Sequence, residues 1–345
     1  MRRTSLLIAA LLATPVLAQN VQIDGAGATF PNPIYTKWFS EYNKLHPNVQ
    51  INYASIGSGG GIRQLTNQTV FFGATDGPMT AEQIASAGRK ILHLPTVLGA
   101  VVPVYNIPGV DTELKFTGPV LADVFLGKVT KWNDPAIAQL NPGVSLPGSE
   151  ITVVHRSDGS GTSYIFADFL AKVSQDWKTK VGVATSLNWP VGVGGKGNEG
   201  VAGLVRQTPS SIGYVELIYA LSNDLPFADI KNSSGAFVTP SLESVTAAAA
   251  GTKLKSDTDF RVSITNAPGA DAYPIASFTW LLVHKDGKDV AKAKQIKEFL
   301  TWMISPDAQA MARELHYAPL PKEVVALVQA RLPTLKAGGK AIASN

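Results

Sequence analysis

Three short segments of this chain place small and hydroxyl-bearing residues just ahead of a helical pattern. They are Gly25-Ala26-Gly27-Ala28-Thr29-Phe30-Pro31, Gly57-Ser58-Gly59-Gly60-Gly61 and Arg156-Ser157-Asp158-Gly159-Ser160-Gly161-Thr162-Ser163. The first turn of a helix leaves backbone N–H groups unpaired, and the helix dipole adds partial positive charge there. Glycine lets a ligand approach the backbone, and Ser or Thr hydroxyls rotate to donate further hydrogen bonds. Such an end suits an anion. Three of them converging would surround a tetrahedral oxyanion with donors, and Arg156 could add a two-pronged, charge-assisted pair. Taken singly, each segment reads more readily as an ordinary cap or turn. Their combination is what points to a site.

Asp76 is the dissenter, a carboxylate in Thr75-Asp76-Gly77-Pro78 between a strand pattern and a helix that should begin near Thr80. An Asp there is commonly a turn or cap residue. Within an oxyanion site it would act differently. Phosphate keeps at least one proton at neutral pH and can donate it, whereas sulfate is fully ionised. A buried acceptor would welcome the first and repel the second, with a difference of several kcal/mol.

Other chemistry finds little support. Gly192-Val193-Gly194-Gly195-Lys196-Gly197 has the glycine spacing of a dinucleotide loop, but it follows Trp189-Pro190 and not a convincing strand, so it reads as a loop. No G-x-S-x-G elbow surrounds Ser58 or Ser160. The five histidines are scattered without metal-ligand spacing, so neither a metal nor another cofactor is expected; His155, beside Arg156, reads as a strand residue. No catalytic residue is assigned.

The elements that must hold these segments alternate. Val21–Ile23, Val49–Tyr53, Phe71–Ala74, Ile151–His155 and Phe278–Val283 read as strands. Pro33–Leu45, Gly60–Gln68, Ser160–Val173, Val290–Ile304, Pro306–Leu315 and Pro321–Gln329 read as helices. Ile91–Tyr105 is a long apolar stretch interrupted by Pro95 and Pro103. The alternation implies an α/β fold with mainly parallel sheets. At 345 residues two domains are expected, and the two extended apolar stretches, Ile91–Tyr105 and Tyr273–His284, could be crossovers between them. Two domains laid out one after the other fit the pattern as well.

The N-terminus has the form of an export signal. Arg2 and Arg3 precede the apolar run Leu6–Leu12, and Val16-Leu17-Ala18 offers small residues for cleavage after Ala18. The apolar run is too short to span a bilayer, so the chain is not expected to cross a membrane. The net charge is +4, but Arg2 and Arg3 carry two of those charges. Without the leader the balance is close to neutral, which argues against a nucleic-acid partner. With 45% hydrophobic and 16% charged residues the composition is that of a globular protein, and the absence of cysteine excludes disulfides and a lipid-modified N-terminal cysteine.

The strings GAGATFPNPIYTKWF, IGSGGGIRQL, FGATDGPM, HRSDGSGTSYIF, GVGGKGNEGVAGLV and SIGYVELIYA together resemble the periplasmic phosphate-binding proteins of bacterial Pst-type ABC importers, and they span nearly the whole chain after the leader. The resemblance implies a two-lobed periplasmic-binding-protein fold of type II, with the ligand in the cleft between lobes. It implies residues 20–105 plus 273–345 in one lobe and 106–272 in the other. It carries phosphate contacts to Thr29, Phe30, Ser58, Asp76, Arg156, Asp158, Ser160, Gly161 and Thr162. Thr29, Ser58, Ser160 and Thr162 would supply hydroxyl and N–H donors, and Phe30 and Gly161 backbone N–H. Arg156 would neutralise charge with Asp158 orienting it, and Asp76 would accept the phosphate proton. The implied partners are inorganic phosphate and the inner-membrane permease subunits of an importer with their cytoplasmic ATPase; the implied location is the periplasm. Two positions depart from the family's usual residues: Phe71, where Asp is frequent, and Gly59, where Ser is common. A binder of another tetrahedral oxyanion and an exported phosphatase on the same fold are the competing readings.

Overall fold

The computed structural model describes residues 20–110, 112–252, 254 and 259–342, so the expected leader lies outside the described residues. Eight strands form one sheet, in the order 49–55, 21–27, 72–75, 276–284, 91–106, 211–216, 152–156, 193–195. The outer pairs are parallel and carry the strand-to-helix corners. The pairs around the centre are antiparallel, so the sheet is mixed and not mainly parallel as the alternation alone suggested.

One strand joins the two halves of the sheet. Ile91–Asn106 is sixteen residues long and buried along all but its last residue. Its first part pairs with Ala276–His284, from Ile91 opposite His284 to Ala100 opposite Ala276. Its second part pairs with Ser211–Glu216, from Val101 opposite Glu216 to Asn106 opposite Ser211. A run of Val, Leu, Ile and Ala buried on both faces gives this strand its length. Pro95 does not break it, contrary to the sequence reading. The register shifts by one residue at Thr279/Trp280, so Thr96 is bulged out beside the proline, which has no N–H to contribute to the ladder. Thr96 Oγ1 then bonds Tyr35 Oη at 3.0 Å.

The helices follow the apolar patterns, with ends shifted by a residue or two. Asn32–Leu45 buries Ile34, Tyr35, Trp38, Phe39 and Tyr42 against the sheet. Gly161–Val173 is capped by Ser160, whose Oγ accepts from Ser163 N at 3.0 Å. The glycine-rich stretch read as a loop is instead the short strand Val193–Gly195 leading into the helix Gly197–Gln207. Three residues pairing parallel to 154–156 are too few to leave a periodic signal in sequence. Among the described residues no helix is long and apolar enough to cross a membrane.

Candidate functional site

Four strand-to-helix corners meet at the carboxyl ends of the parallel strands, the edge at which open α/β sheets hold ligands. They are Ala28–Phe30 after strand 21–27, Gly57–Gly60 at the start of helix 58–66, Ser157–Thr162 between strand 152–156 and helix 161–173, and Lys196–Asn198 after strand 193–195. Asp76 follows strand 72–75 into the same place. Thr29, Ser58, Asp76, Arg156, Ser160 and Thr162 are all buried.

Gly161 marks where the corners meet. A Cβ built on it would lie 2.4 Å from both Asp76 Oδ2 and Ser58 Oγ, although those residues belong to the other half of the sheet. Gly59 N donates to Gly159 O at 2.9 Å, and a Cβ on Gly59 would sit 3.1 Å from Gly159 Cα. Gly57, at φ +85°, turns the chain into helix 58–66 where Asp158 and Gly159 leave no room for a side chain. The departure at position 59 therefore serves the close approach of two backbones. The other departure, Phe71, lies at the far end of strand 72–75 from Asp76 and lines a separate cavity with Arg89, His284 and Lys292.

The donors are aimed inward. Among the described residues the backbone N–H groups of Thr29, Phe30, Ser58, Gly161 and Thr162 have no protein acceptor. Arg156 carries five N–H protons. Nε donates to Asp158 Oδ1 at 2.7 Å, Nη2 to Asp158 Oδ2 at 2.5 Å and Nη1 to Thr162 Oγ1 at 3.3 Å. One proton on each terminal nitrogen is left for a ligand. Asp158 also accepts from Gly197 N at 3.0 Å. Burial pushes its carboxyl up, but the hydrogen bonds and charge of Arg156, with Gly197 N–H, outweigh that and hold it below the ordinary aspartate range.

Asp76 is the one acidic acceptor among these donors. Its Oδ1 accepts from Thr279 Oγ1 at 2.7 Å, and its backbone N–H donates to Ser58 Oγ at 3.2 Å. Burial drives its pKa up to about 7, against the opposing hydrogen bonds of Thr279 and Ser58 and the charge of Arg156. The bulge at Thr96 lies across from the step between Trp280 and Thr279, the residue that reaches Asp76.

Two contributors were not legible as site residues. Thr279 reaches the site from a strand 203 residues further along the chain, and nothing in its neighbourhood sets it apart. Asn198 bridges the corners, donating to Thr29 Oγ1 at 2.7 Å and Thr162 Oγ1 at 3.1 Å. A signal for it was present, since Gly194-Gly195-Lys196-Gly197-Asn198 repeats the small-residue-before-helix signature of the other three corners. His155 is a strand residue whose ring stacks on Trp189 at 4.8 Å, while its Nδ1 pairs with Arg156 O.

The geometry makes Gly161→Ala a steric test. The backbone there tolerates alanine, yet the new methyl collides with Asp76 and Ser58 across the interface of the halves. We expect at least about a hundredfold loss of anion affinity by titration calorimetry with the ligand-free melting temperature held within a few degrees. Unaltered affinity would mean that the corners do not close on the ligand as they stand here.

A family model described as a PBP superfamily domain matches residues 13–307. A phosphate-binding protein PstS of Xylella fastidiosa strain 9a5c is 47% identical over 313 residues, covering 90% of this chain and 85% of the relative. One of Pasteurella multocida strain Pm70 is 46% identical over 336 residues, covering 97% and 96%. Among solved structures, a high-affinity periplasmic phosphate-binding protein bound with phosphate at pH 8.5 superposes with a TM-score of 0.75 at 22% identity, covering 90% of this chain and 93% of that one. At that identity the likeness speaks for the two-lobed fold alone.

Proposed function

From the premise that this chain belongs to the PBP superfamily and, within it, to the PstS phosphate-binding proteins, we propose that its four corners capture inorganic phosphate in the periplasm for delivery to an ABC importer. Residues 20–105 and 273–345 form one lobe and 106–272 the other, and the second part of the long strand, Val101–Asn106, is the crossing: it has left Ala276–His284 after Ala100 and pairs with Ser211–Glu216, while Val101 N still bonds Ile275 O at 2.9 Å. The leader at 1–18 exports the chain, and the loaded form docks on the permease, whose cytoplasmic ATPase drives uptake.

The observation that carries this reading is the buried carboxylate of Asp76 set among converging donors. Thr29, Phe30, Ser58, Ser160, Gly161 and Thr162 offer N–H or O–H groups, Arg156 offers two further protons, and Asp158 is engaged by Arg156 and Gly197, which leaves Asp76 to accept from the ligand. Preorganised donors replace the water that a small dianion sheds, at little reorganisation cost. A proton that the ligand retains finds Asp76. The residues bind and release, and no bond in the ligand is broken.

Calorimetry of the mature protein, freed of ligand, against phosphate, sulfate and arsenate tests this. We expect one phosphate per chain, with sulfate about a hundredfold weaker at pH 9. Equal affinity for the two, or no phosphate binding, would refute it. Incubation with a phosphomonoester should leave it intact.

A further inference from the structure

Asn198 is fully buried in the first turn of the helix Gly197–Gln207 and makes four hydrogen bonds. Its amide has only one possible orientation. Glu216 N–H, which can only donate, lies 2.9 Å from Oδ1, so Nδ2 must face the other way. There its two protons go to Thr29 Oγ1 at 2.7 Å and Thr162 Oγ1 at 3.1 Å. The backbone N–H of Asn198 adds a second bond to Thr29 Oγ1 at 3.2 Å.

A hydroxyl offers two acceptor lone pairs and one proton. Thr29 Oγ1 accepts from Asn198 N and Asn198 Nδ2, which fills both lone pairs. Thr162 Oγ1 accepts from Arg156 Nη1 and Asn198 Nδ2, which fills both of its own. Each hydroxyl can then act only as a donor, and its proton must point away from Asn198 and into the place where the corners meet. We infer that Asn198 is a positioning residue that sets the proton polarity of the anion site, converting Thr29 and Thr162 from hydroxyls free to donate or accept into obligatory donors. The inference rests on the phosphate reading and deepens it. A protonated ligand oxygen set against either hydroxyl would meet a proton and not a lone pair, so the ligand's proton is steered to Asp76. Selection of a protonated oxyanion then comes from two parts: an acceptor at Asp76, and donors elsewhere whose direction Asn198 has fixed.

Asn198→Asp tests this with little change of shape. Its Oδ1 still accepts from Glu216 N, but Oδ2 can only accept, so the two threonine hydroxyls turn their protons toward it and away from the ligand. The experiment is a double-mutant cycle with Thr29→Val, read by calorimetry against phosphate, with ligand-free melting temperatures as the check on folding. In the wild-type background Thr29→Val should weaken binding by about tenfold or more. In the Asn198→Asp background, itself at least about a hundredfold weaker, Thr29→Val should cost less than about threefold more, because the proton it removes no longer reaches the ligand. The same factor in both backgrounds would overturn the inference, since a merely structural Asn198 gives additive effects. If the wild-type chain itself fails to bind phosphate, it is the functional reading that falls. A measurement on the unaltered protein covers variants that do not fold: neutron diffraction of the deuterated phosphate complex. A deuteron on Thr29 Oγ1 directed at a phosphate oxygen supports the assignment, and one directed at Asn198 overturns it.

Discussion

Replacing Arg156 with alanine should abolish tight phosphate binding, weakening it by about a thousandfold, and should also lower the melting temperature of the ligand-free protein. Both losses have the same origin. Arg156 is 3% exposed, and its guanidinium spends three of its five protons on Asp158 and Thr162. Removing it takes two charge-assisted bonds from the ligand, at about 1.5–3 kcal/mol each. It also strands Asp158, whose side chain is 12% exposed, without its counter-charge, and breaking a buried pair from one side costs about 3–5 kcal/mol. A second variant separates the two effects. Arg156→Met combined with Asp158→Asn leaves no unpaired charge, so it should recover most of the lost melting temperature and none of the affinity. Recovery of affinity in the double variant would mean that Arg156 serves the fold and not the ligand. Arg156→Lys should fall in between, since one ammonium cannot hold Asp158 at two points and still reach the anion.

Asp76→Asn should collapse the discrimination between phosphate and sulfate, and it should do so in a pH-dependent way. In the wild-type protein Asp76 ionises near pH 7. Above that pH its carboxylate has no proton to offer sulfate, so the sulfate dissociation constant should rise about tenfold per pH unit, while phosphate, bringing its own proton, still binds. The Asn variant has a permanent donor and a permanent acceptor at that position. Its sulfate affinity should be flat with pH and should approach its phosphate affinity, a loss of selectivity of about tenfold at pH 8 and about a hundredfold at pH 9. Competition calorimetry between pH 6 and 9 measures this, and selectivity surviving in the variant would show that Asp76 is not the selector.

The same group leaves a signature in the stability of the ligand-free protein. A carboxyl whose folded pKa is raised favours the fold when protonated. Its contribution is fully present below the ordinary aspartate range and is lost as pH rises to about 7. The total is on the order of 4 kcal/mol. Asp76→Asn should therefore gain on the wild type progressively from about pH 4 to 7 and keep a constant advantage above that, as read by denaturant unfolding. Parallel stability profiles would mean that Asp76 titrates normally.

How much of this was legible before the fold was known depends on how local each feature is. The corners at Thr29, Ser58 and Ser160 announce themselves because capping is local chemistry: small residues, a hydroxyl and a helical period lie within a few positions of each other. The helix ends came within a residue or two for the same reason. The corner at Asn198 carries the same signature, but the strand before it is three residues long and leaves no periodic pattern to mark it as a corner. The continuity of Ile91–Asn106 through Pro95 was not legible at all, because the bulge that accommodates the proline is a property of the pairing with Thr279 and Trp280.

The sequence by itself determined that this chain builds several anion-favouring helix starts, that one carries an arginine with an aspartate two residues on, and that a lone carboxylate follows another strand. These are consequences of residue type and short spacing. Only the tertiary structure decided that the corners share one point, since Gly161 meets Asp76 and Ser58 across the two halves of the sheet. It also decided that burial lifts Asp76 to about 7, and that Asn198 reaches the hydroxyls of two threonines that lie 169 and 36 residues away, filling the second one's lone pairs together with Arg156. Desolvation and hydroxyl direction are set by everything packed around a group, and in a chain those surroundings come from strands far apart in sequence.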